Sequence, residues 1–308
     1  MLTLLEASKR VSGDVVRSGV IDMFAQSNDL LRVMGFIDVP GGAYQYKQRG
    51  TLPGVAFRGI NESFQESTGV VNPLVEALRI AGGDLDVDNA LIKFHGEGIR
   101  EDEEAAKIQA LGLYIAKTMI NGDSLADARV FDGLRNRITG SQLIAAGSTD
   151  GGDALSLAKL DEAIDMVEGP THLLMSKALR RRLTAAARDA DVGGYITYDV
   201  DEFGRRVAFY NDLPILIADF DETGAQILGF NEVGPGGSTA TAASMYVLSI
   251  GPNKLVGLQN GIMDARDLGE LQEKPVRRTR VDWYVGMAAL HGRCAARIWG
   301  IKDVAMTA

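Results

Sequence analysis

The chain has one cysteine, Cys294, in 308 residues. No internal disulfide is possible, and nothing in its thiol usage implies an oxidising compartment. It has only three histidines, His95, His172 and His291. They form no helix-spaced pair, and His291 with Cys294 lacks two further ligands nearby, so no zinc pattern is present. There is no Gly-x-Ser-x-Gly elbow and no Gly-x-x-x-x-Gly-Lys phosphate loop, which removes the commonest sequence signatures of hydrolases and nucleotide-binding enzymes. No apolar run approaches the length of a membrane span. The opening Met1-Leu2-Thr3-Leu4-Leu5-Glu6 lacks a basic region and meets a charge too early for a secretory signal. These absences predict a soluble chain made in the cytoplasm, with no cofactor, no metal site and no catalytic residues.

Proline is scarce at 8 residues and glycine plentiful at 36, a balance that favours sharp backbone reversals over rigid linkers. The formal net charge is −9, which disfavours a dedicated nucleic-acid binder. Basic residues cluster only locally, at Arg180-Arg181-Arg182 and among Lys274, Arg277, Arg278, Arg280, Arg293, Arg297 and Lys302. Solvated or intersubunit faces account for both clusters better than a DNA site does.

The most ordered stretch runs from Gly98 to Leu134. Glu101-Asp102-Glu103-Glu104 places negative charge at the positive end of a helix. Ala105, Ile108, Leu111, Ile115 and Met119 follow at helical spacing, and Asn121-Gly122-Asp123 is expected to close the helix in a left-handed turn. Before it, Tyr44–Arg49 and Val55–Asn61 read as the arms of a long hairpin with its tip at Gly50-Thr51-Leu52-Pro53-Gly54. Such a ribbon needs a surface to lie on. Asp84, Asp86 and Asp88 have the spacing of a calcium-loop start, but Asn89 and His95 stand where glycine and glutamate are required. A strand with Leu85 and Val87 facing inward is the better reading. Gly96-Glu97-Gly98 lacks the third glycine of a dinucleotide loop and is followed by four acids.

Gly147-Ser148-Thr149-Asp150-Gly151-Gly152 is the best internal boundary. After it come a helix over 153–167, a strand at Thr171–Met175, and a helix capped by Ser176. A hairpin follows, Tyr195–Val200 with Arg205–Tyr210, turning at Asp201-Glu202-Phe203-Gly204, and then a buried strand at Ile215–Ala218. Residues 230–243, rich in glycine, serine and threonine, read as a mobile loop. Strands at Met245–Ile250, Leu255–Leu258, Thr279–Ala288 and Ala295–Ile301 complete the chain. The helix stripe is expected to pack on strands bearing Val281, Trp283 and Ile298.

Three motifs in this order are similar to one known family: Gly82-Gly83-Asp84-Leu85-Asp86-Val87-Asp88; a long helix ending in Asn-Gly-Asp and followed by Phe131-Asp132-Gly133-Leu134; and Arg280-x-Asp-Trp-Tyr-x-Gly-Met with Ala296-Arg-Ile-Trp-Gly-Ile. The sequence resembles tailed-bacteriophage major capsid proteins of the HK97-fold class. That resemblance implies an α+β fold with an N-terminal arm (1–34), an extended loop (35–70), a peripheral domain with its spine helix (71–149), an axial domain (150–260) and return strands of the peripheral domain (261–308). It implies self-assembly into hexamers and pentamers of an icosahedral head in the host bacterial cytoplasm. It further implies a portal protein at one vertex, a scaffold, decoration or cement proteins, and packaged double-stranded DNA held by weak non-specific contact, with no membrane. No long scaffold-like segment precedes the arm. The family's occasional isopeptide crosslink would use Lys47, the only lysine of the expected hairpin, although an ordinary surface charge accounts for it better. The alternative within the same fold is an encapsulin shell enclosing cargo enzymes, and a more distant one is an unrelated metabolic enzyme.

Overall fold

The computed structural model describes residues 2–3, 28–96, 98–189, 196–200 and 206–308. The helical face expected at Val16, Val20, Met23 and Phe24, and the turn at 201–204, lie outside the described residues. In chain order the elements are β1 (Leu2–Thr3), α1 (Asp29–Val33), β2 (Gly35–Asp38), β3 (Ala43–Thr51), β4 (Val70–Ala77), β5 (Arg79–Asp88), α2 (Asn89–His95) and α3 (Gly98–Asn121). They continue with α4 (Leu134–Arg137), β6 (Leu143–Ala145), α5 (Leu157–Met166), β7 (His172–Met175), α6 (Lys177–Ala186), β8 (Ile196–Val200) and β9 (Arg206–Tyr210). The remainder are β10 (Leu213–Ile217), β11 (Glu232–Val233), β12 (Ala240–Leu248), β13 (Leu255–Gln259), β14 (Asp264–Glu270), β15 (Val276–Ala289) and β16 (Ala295–Lys302).

The spine helix α3 has 24 residues and is about 36 Å long at 1.5 Å per residue. Its stripe of Ile108, Leu111, Ile115 and Met119 is buried as the spacing predicts, together with Ala116 and Ile120. The stripe packs on a sheet ordered β1-β2-β13-β15-β14, with β5 also paired to β15. Val281, Trp283, Val285 and Met287 point from β15 into that core, where the Trp283 ring lies 5.1 Å from Phe36. Leu111→Ala is expected to cost about 2–5 kcal/mol, because a partly relaxed cavity adds to the lost transfer energy. An unchanged melting temperature for the isolated subunit would show that the stripe does not hold the sheet.

The helix stops for a reason other than the expected one. Neither Asn121 nor Gly122 is in the left-handed region. Glycine is needed for space instead. A Cβ on Gly122 would lie 2.3 Å from the Phe131 carbonyl oxygen, and one on Gly133 would lie 2.6 Å from the Gly122 nitrogen. The chain doubles back through Gly133 N–H to Gly122 O at 2.9 Å, and the Asp132 carboxylate accepts from Ser124 N–H at 2.8 Å. This return seats Phe131 and Leu134 against the helix in the first core.

The second sheet runs β6-β16-β12-β7-β10-β9-β8. Alternation along a strand sends successive side chains to opposite faces. Leu174, Leu216, Tyr246 and Leu248 therefore join the first core, while Leu173, Met175, Ile215, Met245 and Val247 face a second core closed by α5 and α6. Strands buried on both faces lose the polar half of the pattern, as in Ile215-Leu216-Ile217. Ile298 faces this second core and not the spine helix. The loop expected over 230–243 is shorter than its composition suggests, since β11 and the start of β12 lie within it.

After β10 the chain is fastened to the spine by Asp221, which is 5% exposed. Its carboxylate accepts from Lys117 Nζ at 2.7 Å, from Thr223 N–H and Oγ1 at 2.9 and 2.7 Å, and from Ala225 N–H at 2.8 Å. The hydrogen bond from Lys117, aided by Thr223 and Ala225, holds this carboxyl well below the usual carboxylate range. A folded-state pKa below the unfolded value of about 4 means that the unfolded chain binds the extra proton. The stabilisation is complete above about pH 4 and is lost as pH falls through the acid range. Asp221→Asn is expected to lower stability at neutral pH and to flatten the acid limb of the stability curve. Equal acid slopes in variant and parent would assign the acid sensitivity elsewhere.

Candidate assembly interface

One part of the chain leaves the two cores. β3 pairs antiparallel with β4, in a register that sets Tyr44 opposite Glu76 and Lys47 opposite Pro73. The hairpin arms expected at Tyr44–Arg49 and Val55–Asn61 are thus corrected: the second arm is Val70–Ala77, and residues 52–69 form the connecting loop. Pro73 hides this strand in the sequence, because proline removes a ladder hydrogen bond. A two-stranded ribbon has a free edge on each strand, where that loss costs nothing. The β-branched run Val70-Val71 was the available signal.

The root of the ribbon is anchored. Arg137 holds Glu76 through both terminal guanidinium nitrogens, Nη2 at 2.8 Å, and its Nε donates to the Asp132 carbonyl at 2.7 Å. Tyr46 donates to the same Glu76 at 3.4 Å, and burial together with the Glu76 charge pushes its phenol up to about 12. Tyr44 and Tyr46, with Leu78, pack against a small third core of Val39, Val256, Leu258 and Ala288. The anchor therefore joins the ribbon to the turn that follows the spine helix.

The far end is built differently. Val55 is 97% exposed, Phe57 107% and Ile60 95%, so these side chains have no cover from their own chain. Leu52, Phe64 and Val75 are also exposed. Local bonds give the loop a shape: Arg58 Nη1 donates to Glu62 O at 2.9 Å, Gly59 N–H donates to the Glu62 carboxylate at 2.8 Å, and Arg58 lies 5.2 Å from the Phe64 ring centre. Burying a large apolar side chain contributes about 1.5–3 kcal/mol. A projecting ribbon with several uncovered ones is therefore a strong candidate for contact with another chain.

The remaining sequence features are accounted for within the fold. Asp84 and Asp86 hold Arg280 and Arg278 at 2.6–2.8 Å, and hydrogen bonds from these arginines keep both carboxyls below the usual range. Asp88 caps α2 by accepting from Ala90 N–H at 2.8 Å. The acidic triplet is thus divided among three partners. Arg293 donates to the Met166 carbonyl at 3.1 Å, and Arg297 is buried against Glu232, so the C-terminal basic residues do not act as one patch. Lys47 is exposed on β3. Cys294 is buried, which pushes its thiol up to about 11 and leaves it unreactive. His172 contacts Thr171, and His291 lies 3.3 Å from Glu168. Among the described residues no group of three His, Cys, Asp or Glu could hold a metal, and no helix is long and apolar enough to cross a membrane.

With this geometry in place, residues 12–159 match the family model described as Major capsid protein GP7, a span that takes in the ribbon, the spine helix and the turn after it. Over that span the chain is similar to major capsid proteins, and its fold is that of HK97-class capsids. Solved structures agree in fold. The holo-SrpI encapsulin complex from Synechococcus elongatus is 16% identical, with a TM-score of 0.64 over 91% of this chain and 89% of that one. The capsid of a native GTA particle is 13% identical, with a TM-score of 0.63 over 89% and 90%. Mycobacterium phage Bobi gives 12% identity and a TM-score of 0.62 over 90% and 91%. Among curated protein sequences none matches this chain.

Proposed function

We propose that this chain is a major capsid protein that tiles the icosahedral head of a tailed phage as hexamers and pentamers and encloses its double-stranded DNA. The observation that carries the reading is the anchored ribbon with an uncovered apolar end, in a chain whose first half matches a capsid family. Residues 52–69 lie on a neighbouring subunit. The part of the second sheet that lies within residues 150–260, with α5 and α6, faces its copies around the five- and six-fold axes through head-to-tail contacts that close into rings. A portal protein occupies one vertex, and a scaffold and decoration or cement proteins assist assembly in the host cytoplasm. The role is structural and not enzymatic. The wall confines DNA by weak contact, in keeping with the net charge of −9.

Electron microscopy of the purified, expressed chain tests this. Closed shells with hexameric and pentameric capsomers are expected. Particles that stay monomeric at shell-forming concentrations would overturn the reading. A small shell that retains a cargo enzyme when expressed beside its neighbouring genes would move the chain to the encapsulin branch of the fold.

A further inference from the structure

Helix α6 separates the three members of the Arg180-Arg181-Arg182 run. Arg182 is engaged, its Nε donating to Asp303 Oδ1 at 2.8 Å and its Nη2 to the Asp303 carbonyl at 3.2 Å. Arg180 and Arg181 have no carboxylate partner among the described residues, and neither does Arg188, just past the helix end. Arg180 and Thr184, at i and i+4, lie along one line of the helix, with Arg181 and Ala185 on the next, and Arg188 lines the same cleft from just beyond the helix end. Facing them across an open cleft of about 640 Å³ stand Tyr198 of β8 and Ala208 of β9. In a chain of net charge −9, three guanidiniums with no paired carboxylate among the described residues, in one concavity, run against the composition.

The chemistry of the cleft selects its ligand. A guanidinium is a planar fork that donates two parallel hydrogen bonds, matched to the oxygens of a phosphate. The eight residue steps from Arg180 to Arg188 correspond to about 12 Å along a helix axis, more than a single phosphate occupies. Tyr198, 45% exposed, adds an aromatic ring to the opposite wall, and a basic groove with an aromatic side is how single strands are bound without sequence preference. We infer that this cleft binds a chain of linked phosphates, either an inorganic polyphosphate or the backbone of a single-stranded nucleic acid. The inference goes beyond the shell-forming role and does not depend on it.

Fluorescence anisotropy with the full-length chain and a labelled ten-nucleotide oligothymidylate tests the site, with tripolyphosphate as competitor. Binding at 50 mM salt is expected to weaken at least tenfold in R180Q/R181Q/R188Q. K93Q/R129Q/K302Q, with the same loss of charge at exposed positions elsewhere, is expected to bind as the parent does. Three phosphate contacts to a single strand give a salt slope near −2, so affinity should fall about 20-fold between 50 and 200 mM salt. If the triple variant does not fold, R181Q alone, at an exposed position, carries the comparison. Competition by tripolyphosphate without oligonucleotide binding assigns the inorganic ligand, whereas binding of the oligonucleotide assigns the strand. No binding of either, an equal loss in the control variant, or equally tight binding of oligoglutamate would each overturn the inference.

Discussion

Excision of residues 55–66 is expected to leave a subunit that melts close to the parent and forms no closed shells. The ends to be joined are already neighbours, since the Gly54 N–H donates to the Ser67 hydroxyl. The deleted segment contributes no residue to any of the three cores. Its removal should therefore shift subunit stability by no more than a surface change does, within about 0.5 kcal/mol. It removes Val55, Phe57, Ile60 and Phe64, the apolar side chains that only another molecule can cover. Sedimentation and electron microscopy read assembly, and thermal melting reads the fold. Normal shells from the deleted chain would sink the proposed contact, and so would a subunit that no longer folds.

Glu232→Ala is expected to destabilise the subunit by about 3–5 kcal/mol, a large part of a domain's 5–15. Glu232 Oε2 receives Arg297 Nη2 at 2.8 Å, and Ser244 Oγ accepts from the Arg297 Nε at 3.0 Å. Both charged side chains are over nine-tenths buried, and the guanidinium lies 5.9 Å from the Tyr246 ring. Truncating the acid leaves a desolvated cation with no counter-charge. The paired change E232L/R297M removes both charges and should recover most of the loss, because the desolvation penalty disappears with them. Chemical denaturation of the two variants separates the cases. A single variant as stable as the parent would show that water reaches the pair.

Most of the architecture was legible where local pattern and burial coincide. The spine helix announced itself through apolar residues three and four apart behind an acidic first turn, and β15 through alternation around Val281, Trp283 and Val285. The doubly buried strands were legible as unbroken apolar runs. What escaped depends on partners distant in the chain. Nothing near Glu232 in sequence signals Arg297, 65 residues away, so a loop that is pinned by a buried ion pair looked mobile from its small residues. The second arm of the ribbon was concealed by Pro73, whose usual penalty vanishes at a free edge. Gly122 was recognised as a helix stop, but the close backbone approach that requires it appears only once Phe131 and Gly133 have folded back. The cleft at Arg180 and Arg188 depends on which of three adjacent arginines Asp303 engages, which a run of identical letters cannot tell.

The placement of the last two strands governs when a nascent chain becomes a usable one. β15 supplies the pairing for β5, β13 and β14, and β16 lies between β6 and β12. Ribosomes deliver residues from the N-terminal end at about 5–20 per second. Until the final segment from Val276 onward has emerged, the first sheet lacks the strand that joins β5, β13 and β14, and the second cannot tie β6 to β12. Completion of the first sheet thus waits for the segment from Val276 onward. Chains that stop before Val276 leave β5 without its partner strand and so cannot present the anchored ribbon on a finished body.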